Sequence, residues 1–114
     1  MHESYVARSI LDKSLAALPK DKHKISQINL GVGVMEGLEP DSLRLYFNEL
    51  AKGSAAEGAN LVIELLPAQL HCSECHHVSS YDGKQPLQVT CPKCQGLNRL
   101  VGGRELFLKS LEAQ

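Results

Sequence analysis

The four cysteines of this 114-residue chain fall into two C-x2-C pairs, Cys72-Ser73-Glu74-Cys75 and Cys91-Pro92-Lys93-Cys94, with fifteen residues between them. Each pair sets two sulfurs on one tight turn. Two such turns facing each other place four thiolates at the corners of a tetrahedron, the arrangement that structural Zn(II) prefers. Pro92 preorganises the second turn, and Gly96 stands where a knuckle is expected to need a residue tolerant of positive φ. Two disulfides would use the same residues, but disulfides belong to exported chains, and the start Met-His-Glu-Ser lacks the basic region of a signal peptide. Four sulfurs also accept iron, as in a rubredoxin, and ligand type alone does not separate the two metals.

Length allows one domain, or a small domain carrying a smaller metal-bound one. With 43% hydrophobic residues, no Trp, three Tyr and two Phe, the core must be built from Leu, Ile and Val. No apolar run approaches the roughly 18 residues of a membrane span, so a cytoplasmic protein without membrane contact is expected. Formal net charge is −1, and four thiolates around one divalent ion would take it to about −3. That balance gives no general attraction to nucleic acid, which argues against the common role of zinc ribbons as nucleic-acid-binding modules.

Along the chain, residues 4–18 show helical periodicity, with Val6, Ala7, Ile10, Leu11, Ser14, Ala17 and Leu18 on one face and Pro19 as the stop. The charged stretch Lys20–Lys24 is a solvated loop, and His23 within it a surface residue. Ile28, Leu30, Val32 and Val34 alternate with Asn29, Gly31 and Gly33 as a strand, whose two glycines leave room for a close neighbour. Pro40 opens a second helix with Leu43, Tyr46, Phe47 and Leu50 as its apolar face, and Gly53 lies beyond its end. Residues 60–66 form a second strand, ended by Pro67. Gly102-Gly103 leads out of the cysteine segment into a third strand over 104–112, its end blurred where Ser110 and Leu111 break the alternation. The fold expected is α/β (α+β): a small three-stranded sheet with two helices on one face, plus an inserted four-cysteine zinc-ribbon domain. The boundaries expected are 1–67 and 102–114 for the α/β domain and 68–101 for the ribbon. The ribbon is too small to bury much, so its folding energy must come largely from the metal.

The other chemistry lies at Met1-His2-Glu3. A free terminal amine and the His2 backbone nitrogen close a five-membered chelate ring, and the His2 imidazole closes a six-membered ring through Nδ1 to that same nitrogen. The Glu3 nitrogen or an outside ligand fills a fourth place. Such a nitrogen-rich set suits Ni(II) or Cu(II), and its anionic backbone nitrogens make it weaken as protons compete. On residues alone, the simpler reading is that Glu3 favours a helix start.

Met1-His2-Glu3, the strand end Gly31-Val32-Gly33, Glu57-Gly58-Ala59, the two cysteine pairs, Glu105-Leu106 and Lys109-Ser110-Leu111-Glu112 together resemble the HypA family of hydrogenase nickel-insertion proteins along essentially the whole chain. The resemblance implies a nickel metallochaperone, not an enzyme, serving maturation of nickel–iron hydrogenase and in some organisms urease. Nickel would be transient cargo at Met1, His2 and the Glu3 backbone, and Zn(II) structural at Cys72, Cys75, Cys91 and Cys94. The GTPase HypB, the hydrogenase large subunit and urease accessory proteins are the partners implied. A monomer or weak homodimer is expected, and the bulky His2 disfavours removal of Met1 without deciding it. Some members carry an acidic residue near the start of the second helix, a place that Glu39 matches loosely. Histidines often stand beside the cysteines, as His71, His76 and His77 do here; they are read either as a solvated polar turn or as an influence on the zinc shell.

Overall fold

The computed structural model describes residues 2–114, so Met1 of the expected terminal site lies outside the described residues. The element order is α1 (Glu3–Ala17), β1 (Ile25–Gly33), a 3-10 turn (Val34–Glu36), α2 (Pro40–Leu50), β2 (Asn60–Leu66), β3 (Ala68–Cys72), β4 (Val78–Tyr81), β5 (Asn98–Val101) and β6 (Leu106–Ala113). The architecture is α+β, with two helices and two three-stranded sheets ordered β2-β1-β6 and β4-β3-β5. Two compact units result among the described residues: the chain through Gly31, Gly37–Glu64 and Leu106–Gln114 form one, and Val32–Glu36 with Leu65–Glu105 the other.

In the first unit, α1 buries Val6, Ala7, Ile10, Leu11 and Ser14, the stripe its periodicity marks out. Ala17, expected on that stripe, is exposed. The helix is already ending there, because Leu18 must turn extended (φ −65°, ψ 123°) before Pro19. On α2, Leu43 and Phe47 are fully buried, but Tyr46, expected beside them, is 47% exposed. It sits at the margin of the stripe, where the phenol hydroxyl stays in water. Ile28 and Leu30 of β1 and Leu61 of β2 complete this core.

The central strand β1 begins at Ile25, three residues earlier than alternation indicates. Ile25 and Ile28 are both buried, an odd spacing that breaks period two, and non-local bonds settle the matter. The Ile25 N–H donates to Ala55 O (2.8 Å) and the Ser26 hydroxyl to Glu112 O (3.1 Å). β6 returns beside β1 and runs to Ala113, with Lys109 and Ser110 both exposed where the alternation slips by one residue, as it does in a bulge. At the other margin, Arg44 Nε donates to Leu61 O (3.1 Å), covering a carbonyl of edge strand β2.

The room left by the β1 glycines is filled. A Cβ at Gly31 would stand 2.6 Å from the Phe107 ring, and one at Gly33 would stand 2.1 Å from Gly103 O. Backbone approaches backbone at Gly33, and Phe107 lies over Gly31.

One buried group is unpartnered. Ser14 is fully buried and its Oγ has no hydrogen-bond partner. Ser14→Ala removes that desolvated hydroxyl and adds helix propensity, so it should stabilise the chain by about 1 kcal/mol, raising Tm by roughly 4 °C in a calorimetric scan. A lower Tm would show that the hydroxyl is bonded in solution.

Candidate metal centre

The second unit is built on β3, which pairs antiparallel with β4 (His71 opposite Val78) and with β5 (His71 opposite Arg99). Alternation along β3 buries Ala68, Leu70 and Cys72 on one face. Cys72 therefore ends the strand pointing inward. The isolated bridge between Thr90 and Leu97 holds the second knuckle at its base.

The two knuckles share one backbone plan. The carbonyls of Cys72 and Cys91 accept from the N–H groups of His76 (3.2 Å) and Gln95 (2.9 Å), while the Cys72 and Cys91 N–H groups donate to His77 O (2.9 Å) and Gly96 O (2.8 Å). In both, the residue just after the second cysteine takes the left-handed conformation, His76 at φ 64° and Gln95 at φ 65°. The positive φ expected at Gly96 thus falls one residue earlier. Gly96 is needed for space instead: a Cβ there would stand 2.4 Å from Glu74 Cγ and 3.4 Å from Cys72 Sγ. The turns are local, but their face-to-face packing is not, so spacing alone did not reveal this requirement.

Cys72, Cys75, Cys91 and Cys94 place their sulfurs within 4.8 Å of one another. The Cys72–Cys94 pair is 3.4 Å apart and the Cys75–Cys91 pair 3.7 Å. A zinc ion with Zn–S bonds of about 2.3 Å needs sulfur–sulfur edges of about 3.8 Å, so the cage fits the ion. No disulfide joins the cysteines. The cage is also lined by donors that favour thiolates. Glu74 N and Cys75 N lie 3.3 and 3.4 Å from Cys72 Sγ, Lys93 N 3.4 Å from Cys91 Sγ, and Gly96 N 3.4 Å from Cys94 Sγ.

These contacts divide the sulfurs electrostatically. The Cys75 N–H, against the opposing effect of burial and helped by the Glu74 N–H and the Cys94 and Cys75 sulfurs, holds Cys72 down to about 6. Burial works against a Cys91 thiolate, but the N–H groups of Lys93 and Cys94 and the Cys75 side chain outweigh it and leave its pKa lowered. Cys94 receives the Gly96 N–H, yet the Cys72 and Cys75 sulfurs and burial overcome that and push it up to about 12. Without a cation, four thiolates cannot coexist in so small a cage. A divalent ion resolves the conflict, which is the chemistry a structural zinc supplies.

The other candidates stand as follows. His2 is exposed, in extended conformation (φ −80°, ψ 127°) at the N-cap of α1, and makes no side-chain cap bond. Glu3 is the first helical residue. Glu39 is the N-cap of α2, its carboxylate accepting from Ser42 N–H at 2.8 Å, which gives it a structural task. His71 and His77 are half-buried and His76 exposed. His71 Nε2 bonds Gln69 Oε1 at 2.9 Å. No histidine joins the cysteine cluster, the one group of three or more such ligands among the described residues. No helix there is long and apolar enough to cross a membrane.

Comparison with known proteins accounts for the arrangement. The family model described as "Hydrogenase/urease nickel incorporation, metallochaperone, hypA" matches residues 1–113. The hydrogenase maturation factor HypA of Aquifex aeolicus is 32% identical over 116 residues, covering 100% of this chain and 98% of its own. That of Dehalococcoides mccartyi is 36% identical over 114 residues, covering 98% and 93%. The solution structure of the Ni metallochaperone HypA from Helicobacter pylori superposes with a TM-score of 0.64 at 26% identity, covering 99% of this chain and 97% of that one. A match this complete, on a chain whose cysteines already form a closed metal cage, leads to one conclusion: the chain belongs to the HypA family of hydrogenase and urease nickel-incorporation metallochaperones.

Proposed function

We propose that this chain captures Ni(II) with Met1, His2 and the Glu3 backbone and delivers it for maturation of nickel–iron hydrogenase, and of urease where that enzyme is present. Cys72, Cys75, Cys91 and Cys94 hold a structural Zn(II). The observation that carries the reading is where α1 begins. With Glu3 as the first helical residue and His2 the N-cap, the first intrahelical bond runs from Val6 N–H to His2 O (3.1 Å). The backbone nitrogens of His2 and Glu3 therefore have no acceptor within the helix. They are free to lose their protons to a metal, and the partial positive charge of the helix N-terminus stabilises the anionic nitrogens that result. The exposed His2 imidazole is uncommitted to capping.

In this reading residues 1–67 and 102–114 are the nickel-binding domain and residues 68–101 the zinc-ribbon domain. Transfer proceeds by ligand exchange, since a sphere of backbone and imidazole nitrogens that includes the exposed His2 is open to attack by a partner's ligands. The GTPase HypB, the hydrogenase large subunit and urease accessory proteins are the partners it implies, in the cytoplasm. No catalytic step is assigned: four sulfurs leave zinc no open position for water. The rival readings separate cheaply. A rubredoxin-like iron protein is red, whereas one zinc per chain gives a colourless protein. A nucleic-acid module shows binding that falls steeply with salt.

Calorimetric nickel titration of zinc-loaded, tag-free protein tests the proposal. One strong site is expected, lost in His2→Ala and lost again when a single residue is added before Met1. Undiminished affinity in the extended chain would move the nickel elsewhere.

A further inference from the structure

We propose that the outer face of the β4-β3-β5 sheet carries a carboxylate-binding site centred on Arg99, which receives an acidic side chain from a peptide segment of a protein partner. The proposal is independent of where nickel binds.

Residues directly opposite each other in antiparallel strands project from the same face. His71 stands opposite Val78 on β4 and Arg99 on β5, and Gln69 stands opposite Ser80 and Val101. Since Ala68, Leu70 and Cys72 take the buried side, Val78, His71 and Arg99 form one row across the outer face. At the end of that row lies a cavity of about 210 Å³ lined by His71, Cys72, Ser73, His76 and Arg99.

The hydrogen-bonding capacity of the lining is asymmetric. The Ser73 hydroxyl donates to Leu97 O (3.0 Å), and His71 Nε2 is engaged by Gln69 Oε1 (2.9 Å). What is left uncommitted is the Arg99 guanidinium fork and the ring of His76, which the left-handed turn holds at φ 64°. No carboxylate lines the cavity. The ion pairs among the described residues are Arg44–Asp41, Lys52–Glu49 and Lys109–Glu64, none of which includes Arg99. A permanently charged planar fork beside a second donor, with no carboxylate of the chain's own in the lining, is shaped for a carboxylate taken in two parallel bonds.

Two features select the occupant. The nearby thiolate cage is itself anionic, so a single negative charge held by directed bonds fits better than a doubly charged phosphate. Val78, in the same row, is 49% exposed, and gives an apolar shelf that a peptide covers and a free small acid does not.

The test uses zinc-loaded full-length chain and two capped synthetic peptides that differ only in having two Glu or two Gln at the centre. Amide NMR shifts on titration are the readout. The Glu peptide is expected to move His71, Ser73, His76 and Arg99, with the Gln peptide at least about tenfold weaker, as the loss of a charge-assisted pair predicts. Arg99→Gln should weaken the Glu peptide by a similar factor, and Arg99→Lys should restore only part, because an ammonium lacks the fork. Inorganic phosphate at matched ionic strength should move these residues less than the peptide. The proposal is overturned if both peptides bind alike, if phosphate binds better, if Arg99→Gln changes nothing, or if the shifts fall on Lys20–Lys24. The two-peptide comparison uses the unaltered protein and so decides the matter even where an Arg99 variant loses zinc.

Discussion

Removing the metal from the four-cysteine site is expected to melt the β4-β3-β5 unit while the helical unit stays folded. In amide NMR of chelated protein, signals from residues 68–101 should collapse toward unfolded positions and those of α1 and α2 should persist. The reason is the distribution of core. The buried side chains of the second unit are Val32, Ala68, Leu70, Cys72 and Cys91, so two of the five belong to the four-cysteine cluster. The first unit has Val6, Ile10, Leu11, Ile28, Leu30, Leu43, Phe47 and Leu61 inside. A structural zinc supplies on the order of 10–16 kcal/mol at neutral pH, far more than a few aliphatic side chains can. Cys91→Ser should act like the chelator. An intact ribbon spectrum in metal-free protein would show that strand pairing alone suffices.

Acid should follow the same course, with a definite sign. Cys72, held down to about 6, takes up a proton as pH falls through that value, so its contribution to the cage is present above the ordinary thiol value of 9.0 and is lost toward pH 6 and below. Cys94, pushed up to about 12 in the metal-free cage, carries a proton at neutral pH that zinc must displace. Zinc uptake therefore releases protons, and affinity rises with pH. Zinc competition measured across pH should show affinity falling toward acid and falling most steeply below about 6.

Gly33→Ala should be the most damaging conservative substitution outside the cysteines, costing about 3 kcal/mol or more. Its Cβ would stand 2.1 Å from Gly103 O, 2.2 Å from Gly103 C and 2.6 Å from Arg104 N. All three are backbone atoms, so no rotamer change relieves the clash. The two segments there are tied by Gly33 N–H to Glu105 O and by Met35 N–H to Gly103 O, both at 2.6 Å. Admitting a methyl group means parting that ladder. Gly31→Ala is the control: the three atoms nearest its Cβ all belong to the ring of Phe107, a side chain 45% exposed and free to swing away. Denaturant midpoints should fall much further for Gly33→Ala than for Gly31→Ala; equal losses would mean that the ladder yields more easily than its geometry indicates.

The parts whose causes are local can be read from the residues alone. Periodicity along Val6, Ile10 and Leu11, the stop at Pro19 and the start at Pro40 are decided within a turn or two of chain, and both helices were legible. Cysteine spacing carried the metal cage, because each C-x2-C pair makes its own turn. Tertiary structure alone decided what depends on partners distant in sequence. Ile25 joins β1 because Ala55 and the C-terminal strand reach it, and Tyr46 is left in water because the stripe around Leu43 and Phe47 is just wide enough without it. Gly96 is required by Glu74 of the other knuckle, and Arg99 acquires its setting only through the β3–β5 register. Strand pairing and knuckle packing are contacts between remote segments, and no short window of residues contains both sides of them.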